Sequence, residues 1–410
     1  MFLVRRSKPD DVSTLVKLAK MVYFVNLPPN EPIIQAKIEQ STRCFRKAAG
    51  VPVEAAHGRR RRSHRSGAGW ADAGDDSELF MLTIEDTHTR GVIGTSQVRA
   101  HQGGPGNPNW TFKISEKAFR SERLGWGSTH KVGQLYGDES GPTEIGGLII
   151  QPSYRGHPAR PGRLLSFARF HWMALHRAAF ADRVLAEMMG PVSEEGDNVF
   201  WDHFGRKFIP VRFGEADRFC QHNRGFISDL LPKEEIYLSL FPLEVQNQIG
   251  VVGRDTLPAL RLLESLGFRN RGFVDPFDGG PHLDAPTDDI PLVRETRRLT
   301  AGKAADAPRR TARGIVSSLD KDGEFRCTED WVELTDDGVR LSAEAMDLLR
   351  VKAGAEIGVT PLKGIVPDEL PHEGAGAQTP VRPARAKATR AKASTARAGR
   401  TARPGARTRA

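Results

Sequence analysis

The chain has 410 residues and a formal net charge of +9, long enough for two or three domains with real cores. Residues 381–410 hold ten Lys or Arg and no acid; taking those ten from +9 leaves about −1 for residues 1–380, so the body offers no electrostatic case for nucleic acid. Three widely spaced cysteines (Cys44, Cys220, Cys327) argue against a disulfide framework and a zinc cluster, and no apolar run reaches a signal core or a membrane span, which points to a reducing, cytoplasmic setting.

In chain order, Phe2 to Arg6 reads as a strand, and Asp10 or Asp11 caps a helix with Val12, Leu15, Leu18 and Val22 on one face. After the Asn26–Glu31 turn a second helix covers Pro32 to Lys47. Residues 49–77 lose all periodicity, and Arg59–Arg62 followed by Asp72, Asp75 and Asp76 reads as a flexible, self-neutralising insertion. Strands follow at Leu79–Ile84, Gly91–Val98, Trp110–Ser115 and Thr129–Tyr136. Further on come a short strand at Val184–Met189, a helix starting at Phe200-Trp201, a helix at Leu257–Leu266 and a strand at Phe268–Phe277. These place residues 1–300 in one main region. Residues 301–313 read as a linker, 314–365 as a small β-rich appendage, and 366–410 as a disordered Arg/Lys/Ala-rich tail that cannot bury a core.

The stretch from Glu144 to Phe180 carries the most chemistry. Ile145-Gly146-Gly147-Leu148-Ile149-Ile150 is an apolar run stopped by Pro152, as for a buried strand. Arg155-Gly156-His157-Pro158-Ala159-Arg160-Pro161-Gly162-Arg163 follows, and then a helix whose Leu164, Ala168, Trp172, Leu175 and Ala179 form one stripe. A strand entering a helix through a glycine turn aims N–H groups and a positive dipole end at one spot, which suits a phosphate. A plain connection with solvated arginines is the alternative.

With its flanks, Gln151-Pro152-Ser153-Tyr154 before and Leu164-Leu165 after, this loop resembles the coenzyme A pyrophosphate loop of GNAT-type N-acyltransferases. Other pieces extend the likeness: Leu27-Pro28-Pro29-Asn30-Glu31, Phe200-Trp201, Phe204-Gly205-Arg206-Lys207-Phe208 and Glu215-Ala216-Asp217-Arg218-Phe219-Cys220. Phe226-Ile227-Ser228-Asp229-Leu230-Leu231-Pro232-Lys233, Ile236-Tyr237 and Phe277-Asp278-Gly279-Gly280-Pro281 complete the set. In that order, over roughly residues 2–300, they resemble the bacterial arginine N-succinyltransferase family. The resemblance implies an α/β fold, a GNAT-like mixed sheet with flanking helices, internally duplicated. It also implies succinyl transfer from succinyl-CoA to the α-amino group of arginine or ornithine by direct attack on the thioester. Leu148 falls where that family binds succinyl-CoA, its role residing in its backbone.

Cofactor contacts are therefore expected from Leu148, Ile150, Arg155, Gly156, Arg160, Gly162 and Arg163. The family's proton-donor histidine directly follows an Ile-Gly-x-Val stretch; here Ile249-Gly250-Val251-Val252 is followed by Gly253, and glycine cannot move a proton. Pro158 and Pro161 also remove two backbone donors from a loop longer than the family's. Glu187, in an otherwise apolar strand, is the leading candidate base, its pKa raised by burial, with an arginine-paired structural carboxylate as the alternative. Glu144 recognises a cationic substrate or caps its strand; Asp217, Tyr237, His222 and His282 are weaker candidates. No spacing resembles a metal site. Two further readings stay open: a catalytically degenerate acyl-CoA-binding subunit beside a paralogue, in a homo- or hetero-oligomer, and an acyltransferase with another amine acceptor. The tail allows weak, non-specific polyanion binding and so a nucleic-acid-tethered acyltransferase.

Overall fold

Apolar alternation and helix-cap chemistry set the first elements of a computed structural model that describes residues 1–21, 27–52, 77–220, 225–304 and 312–365. The chain runs β1 (Phe2–Arg6), α1 (Val12–Ala19), α2 (Glu31–Ala48), β2 (Leu79–Asp86), β3 (Gly91–Arg99), β4 (Asn109–Ser121), β5 (Trp126–Asp138) and β6 (Thr143–Ile150). Next come α3 (Pro161–Leu175), β7 (Arg183–Glu187), α4 (Val199–His203), α5 (Gly205–Phe208), α6 (Phe213–Cys220) and α7 (Gly225–Leu230). Then follow β8 (Ile236–Tyr237), α8 (Leu243–Gln248), α9 (Leu257–Ser265), β9 (Arg269–Val274), β10 (Pro281–Pro286), α10 (Pro291–Glu295) and β11 (Arg297–Thr300). β12 (Ala312–Leu319), β13 (Phe325–Thr335), β14 (Gly338–Arg340), α11 (Ala343–Leu349) and β15 (Glu356–Pro361) complete it. Most of the expected insertion, Val22, His222, residues 305–311 and the basic tail lie outside the described residues. No described helix is long and apolar enough to cross a membrane.

One mixed sheet orders the strands β11-β15-β12-β13-β1-β2-β3-β6-β7-β10-β9-β4-β5-β8, with β14 on β13. Among these named strands only β6 and β7 are parallel neighbours. α2 starts where the Asn30 side chain accepts from the Ile33 N–H at 3.2 Å, and it buries Ile34, Ile38, Ser41 and Phe45 along one face. Aromatic packing joins α2 to the sheet and α3: the Phe45 ring lies 5.2 Å from Phe80 and 4.6 Å from Trp172. A second core lies under the short helices, where Phe112 and Val274 of the sheet meet Phe200, Trp201, Phe204 and Phe277.

Two expectations change. α3 is buried on nearly every face and not along one stripe, and Ala179 lies beyond its end at Leu175. The reason is the second change: residues 312–365 extend the sheet, because β13 pairs with β1 and β15 with β12 and β11. They also cover α3, where the buried His171 ring contacts Thr360 Oγ1 at 2.5 Å and Ser317 Oγ at 2.6 Å. The C-terminal strands are thus hydrogen-bonded into the first half and do not stand apart as an appendage.

β1 is anchored by a buried charge. Arg5 donates to both Asp11 oxygens at 2.8 and 2.9 Å, to Glu85 at 2.9 Å and to Thr83 at 3.0 Å. Removing one member leaves an uncompensated charge, so Asp11→Ala is expected to cost about 3 kcal/mol, the lower end for a buried pair because Glu85 remains. The check is denaturant unfolding: the midpoint falls while the slope is unchanged.

Candidate active site

β6 and β7 pair at Thr143↔Val184 and Glu144↔Leu185 and no further, although both strands continue. Each is held on its other edge, β6 by β3 and β7 by β10. A notch therefore opens between them, its two edges lined by backbone polar groups that do not pair with each other. A bulge in β6 sits at the notch. The register passes from Thr95↔Ile149 to Gln97↔Gly146, leaving Gly147 and Leu148 opposite the single Ser96. Gly147 takes φ +58°, which a side-chain-free residue adopts without strain. Leu148 and Ile150 are half-buried on this strand.

The loop after β6 leads to the N-terminus of α3, beside the notch. Tyr154 fixes the loop by donating to Asp86 Oδ2 at 2.8 Å, and the His157 ring packs edge-on against Phe2 at 5.3 Å. Gly156 takes φ +74° with open space around it. The three arginines differ in what they can do. Arg163 donates to both Glu329 oxygens at 2.8 and 3.1 Å, so its side chain serves the junction with β13, and the expected phosphate contact narrows to its helix-start backbone. Arg155 is exposed, 3.5 Å from the still more open Asp255, a pairing too weak to hold it. Arg160, at the position preceding α3 with φ +48°, has a buried Nη1 without a hydrogen-bond partner. Gly162 follows it in the first turn of α3.

On the other side of the notch, β7, β9, β10 and β4 bring together residues far apart in sequence. Glu187 pairs in register with His282, and its Oε1 accepts from Asn109 Nδ2 at 2.8 Å. Thr111 Oγ1 donates to the Val274 carbonyl at 3.0 Å and contacts His282 Nδ1 at 3.2 Å. One donor atom each from Glu187, Asp275 and His282 lies within 4.8 Å of the others, a set that sequence spacing concealed and that has the chemistry to move a proton or hold a cation. Burial pushes the Asp275 carboxyl up, the facing His282 opposes that, and Glu187 adds to it. A cavity of about 310 Å³ adjoins, walled by Asn109, Thr111, Asp138, Arg183, His282 and Asp284.

Other expected residues are placed elsewhere or differently. Glu144 is buried at the closed end of the notch, 3.9 Å from Arg99, which favours a structural role. Tyr237 sits on β8 at the far end of the sheet against Phe119. Asp217, on α6, bears electrostatically on Asp278. Gly253 donates to the Met189 carbonyl at 2.9 Å, just past β7, and an added Cβ would come within 3.0 Å of the Gly190 carbonyl oxygen. The histidine position therefore borders the site, with backbone closed around a residue that has no side chain. Asn109, Thr111 and Asp275 are the site residues sequence reading missed. Asp275 stood two residues before the Phe277–Pro281 piece, the one available signal.

Residues 53–292 match the family model described as arginine N-succinyltransferase beta subunit. An arginine N-succinyltransferase of Yersinia pestis (strain Pestoides F) is 30% identical over 370 residues, covering 88% of this chain and 98% of that protein. One from Escherichia coli (strain 55989 / EAEC) is 28% identical over 360 residues, 87% and 96% of the two chains. The solved arginine/ornithine succinyltransferase subunit AI from Pseudomonas aeruginosa superimposes with a TM-score of 0.71 at 24% identity, over 89% of this chain and 99% of that one, and so shares the fold. With a family model matched over more than half its length and a relative aligned almost end to end, this chain belongs to the arginine N-succinyltransferase family.

Proposed function

We propose that the chain transfers a succinyl group from succinyl-CoA to the α-amino group of arginine or ornithine. Family membership supports the reaction class, and the observation that carries the site is the parallel β6/β7 junction that stops at Glu144↔Leu185 and opens beside the start of α3. In this reading the amide-bearing arm of the cofactor lies in the notch against the backbones of Leu148 and Ile150. Its pyrophosphate meets the start of α3, where the dipole, the turn at Gly156 and Gly162 and the Arg160 guanidinium favour an anion. Arg155 swings in from its exposed position.

The amine then attacks the thioester carbon directly. Holding the two reactants together supplies several kcal/mol of the barrier reduction, and backbone donors at the notch stabilise the oxyanion. Glu187, half-buried at the end of β7 with Asn109 fixing one oxygen, takes the amine proton. The three cysteines lie on α2, α6 and β13, away from this junction, so no thiol intermediate is invoked. Gly253 favours a second reading, an acyl-CoA-binding subunit without turnover.

The test is thiol release from succinyl-CoA by the full-length protein with arginine, ornithine or no amine. Amine-dependent release with an N-succinyl product is expected; binding of succinyl-CoA with no turnover for either amine would favour the second reading. Arg160→Gly separates cofactor binding from chemistry, because φ +48° suits glycine while the guanidinium is lost. Its KM for succinyl-CoA is expected to rise about 10-fold or more, the worth of a charged hydrogen bond. An unchanged KM would remove Arg160 from the phosphate site.

A further inference from the structure

We propose that His282 is the proton acceptor behind Glu187, forming with Asp275 a carboxylate–imidazole–carboxylate relay that serves where the family's histidine is replaced by Gly253. The inference rests on the acyl-transfer reading of the same site. Its first support is a tautomer fixed by hydrogen-bond direction. The Thr111 hydroxyl spends its proton on the Val274 carbonyl at 3.0 Å, so in the contact of 3.2 Å the His282 Nδ1–H must donate to Thr111 Oγ1. Nε2 then carries the lone pair, and that atom is buried with no hydrogen-bond partner. His282 is only 5% exposed, so the atom is shielded from bulk solvent and opens only toward the adjoining cavity.

The surroundings suit a transient imidazolium. Glu187 faces the ring from β7 and Asp275 from the end of β9. Asp275 is itself preorganised, its Oδ1 accepting from the N–H groups of Phe277 at 2.7 Å and Asp278 at 3.1 Å. The other charges nearby are already paired: Asp284, further along β10, with Arg271 at 2.6 Å and Arg183 at 3.3 Å, and Asp138 of β5 with Arg183. From β4 the ring meets the neutral Thr111, and the neutral Asn109 meets Glu187. No cation among these contacts opposes protonation of the ring.

The step balances. Glu187 accepts a proton from the substrate ammonium and passes it to His282 Nε2, leaving a neutral amine and an imidazolium between two carboxylates. The amine nitrogen forms the C–N bond as the C–S bond breaks, its second proton goes to the departing thiolate, and His282 releases the first to solvent. His282 thus acts through Glu187 as a positioning and proton-holding residue.

Two measurements on the full chain test this. Nitrogen-15 NMR of the histidine rings at alkaline pH should give His282 as the Nδ1–H tautomer; an Nε2–H tautomer would overturn the relay whether or not turnover is seen. In the pH–rate profile, wild-type activity should fall on the acid side. His282→Gln should displace that limb to higher pH and lose about 10²-fold in kcat near neutrality, the gap narrowing at alkaline pH where the substrate ammonium gives up its proton unaided. Succinyl-CoA affinity should be unchanged in that variant, so that loss of cofactor binding marks failure of the site reading and not of the relay. Should His282→Gln not fold, Thr111→Val keeps the ring, removes its acceptor and should displace the same limb. An unchanged profile with turnover within about 2-fold of wild type would overturn the proposal. So would stoichiometric Zn²⁺ binding by calorimetry that His282→Gln abolishes, since the three residues would then be a metal centre.

Discussion

Glu187→Gln is expected to lower kcat by about 10²–10⁴-fold near neutral pH while succinyl-CoA binds as in the wild type. On the proposed mechanism the substitution removes the proton acceptor and little else. A glutamine oxygen can still accept from Asn109 Nδ2, so the side chain keeps its place, and the β7–β10 register at Glu187↔His282 depends on the backbone. Charge is nonetheless lost from the one group that is both half-buried at the end of β7 and next to His282. The substrate must then lose its proton to water before it attacks, so the deficit should shrink as pH rises. Steady-state kinetics across pH with cofactor binding measured separately is the check. Full activity in a folded Glu187→Gln protein would return Glu187 to the role of a structural carboxylate.

Local chemistry was readable in the sequence, and long-range chemistry was not. The β6–loop–α3 unit could be found from residues 144–180 because a strand, a glycine turn and a helix start are contiguous, each set by its neighbours. Glu187 stood out for a similar reason, as a charge in an apolar run. The partners that give it chemistry did not. Asn109 reaches it across 78 residues and Thr111 meets His282 across 171, contacts made only when β4, β7, β9 and β10 come together. Arg163 shows the same limit from the other side. Three arginines in one loop read as one phosphate cluster, yet one of them pairs with a carboxylate 166 residues away. Residues 314–365 read as separate because a linker precedes them, while strand pairing with β1 carries no local signature. Gly253 reads in the sequence as an absent proton donor, while the Gly190 carbonyl that crowds its place is not legible there.

The turn at Asp278–Pro281 should be the most intolerant point near the site, and Gly280→Ala should cost about 3 kcal/mol or more through overpacking alone. Gly280 is not in a left-handed conformation, so the cost is one of space: a methyl there would overlap the Met188 carbonyl oxygen and crowd the Gly190 nitrogen. Neither neighbour can move cheaply. Met188 N–H donates to the Pro281 carbonyl at 3.1 Å, and Gly190 N–H to Asp278 Oδ2 at 2.9 Å. Gly280 N–H donates to Asp278 Oδ1 at 2.7 Å, and Asn198, which caps α4, donates to the Asp278 carbonyl at 3.1 Å. Asp278 is itself buried, and burial together with Asp275 pushes its carboxyl well above the usual range, so its hydrogen bonds have little slack. Next door, Gly250 N–H bonds the Gly279 carbonyl at 2.8 Å and ties in the segment leading to Gly253. Shifting this turn would therefore move Glu187, His282 and Asp275 together, and turnover should fall beyond what the stability loss explains. Gly156→Ala is the control, since Gly156 has φ +74° but nothing within reach of a Cβ, and should cost only about 1 kcal/mol of backbone strain. Denaturant midpoints for the two variants decide it: a Gly280→Ala protein as stable as Gly156→Ala would mean that the turn has room the packing denies.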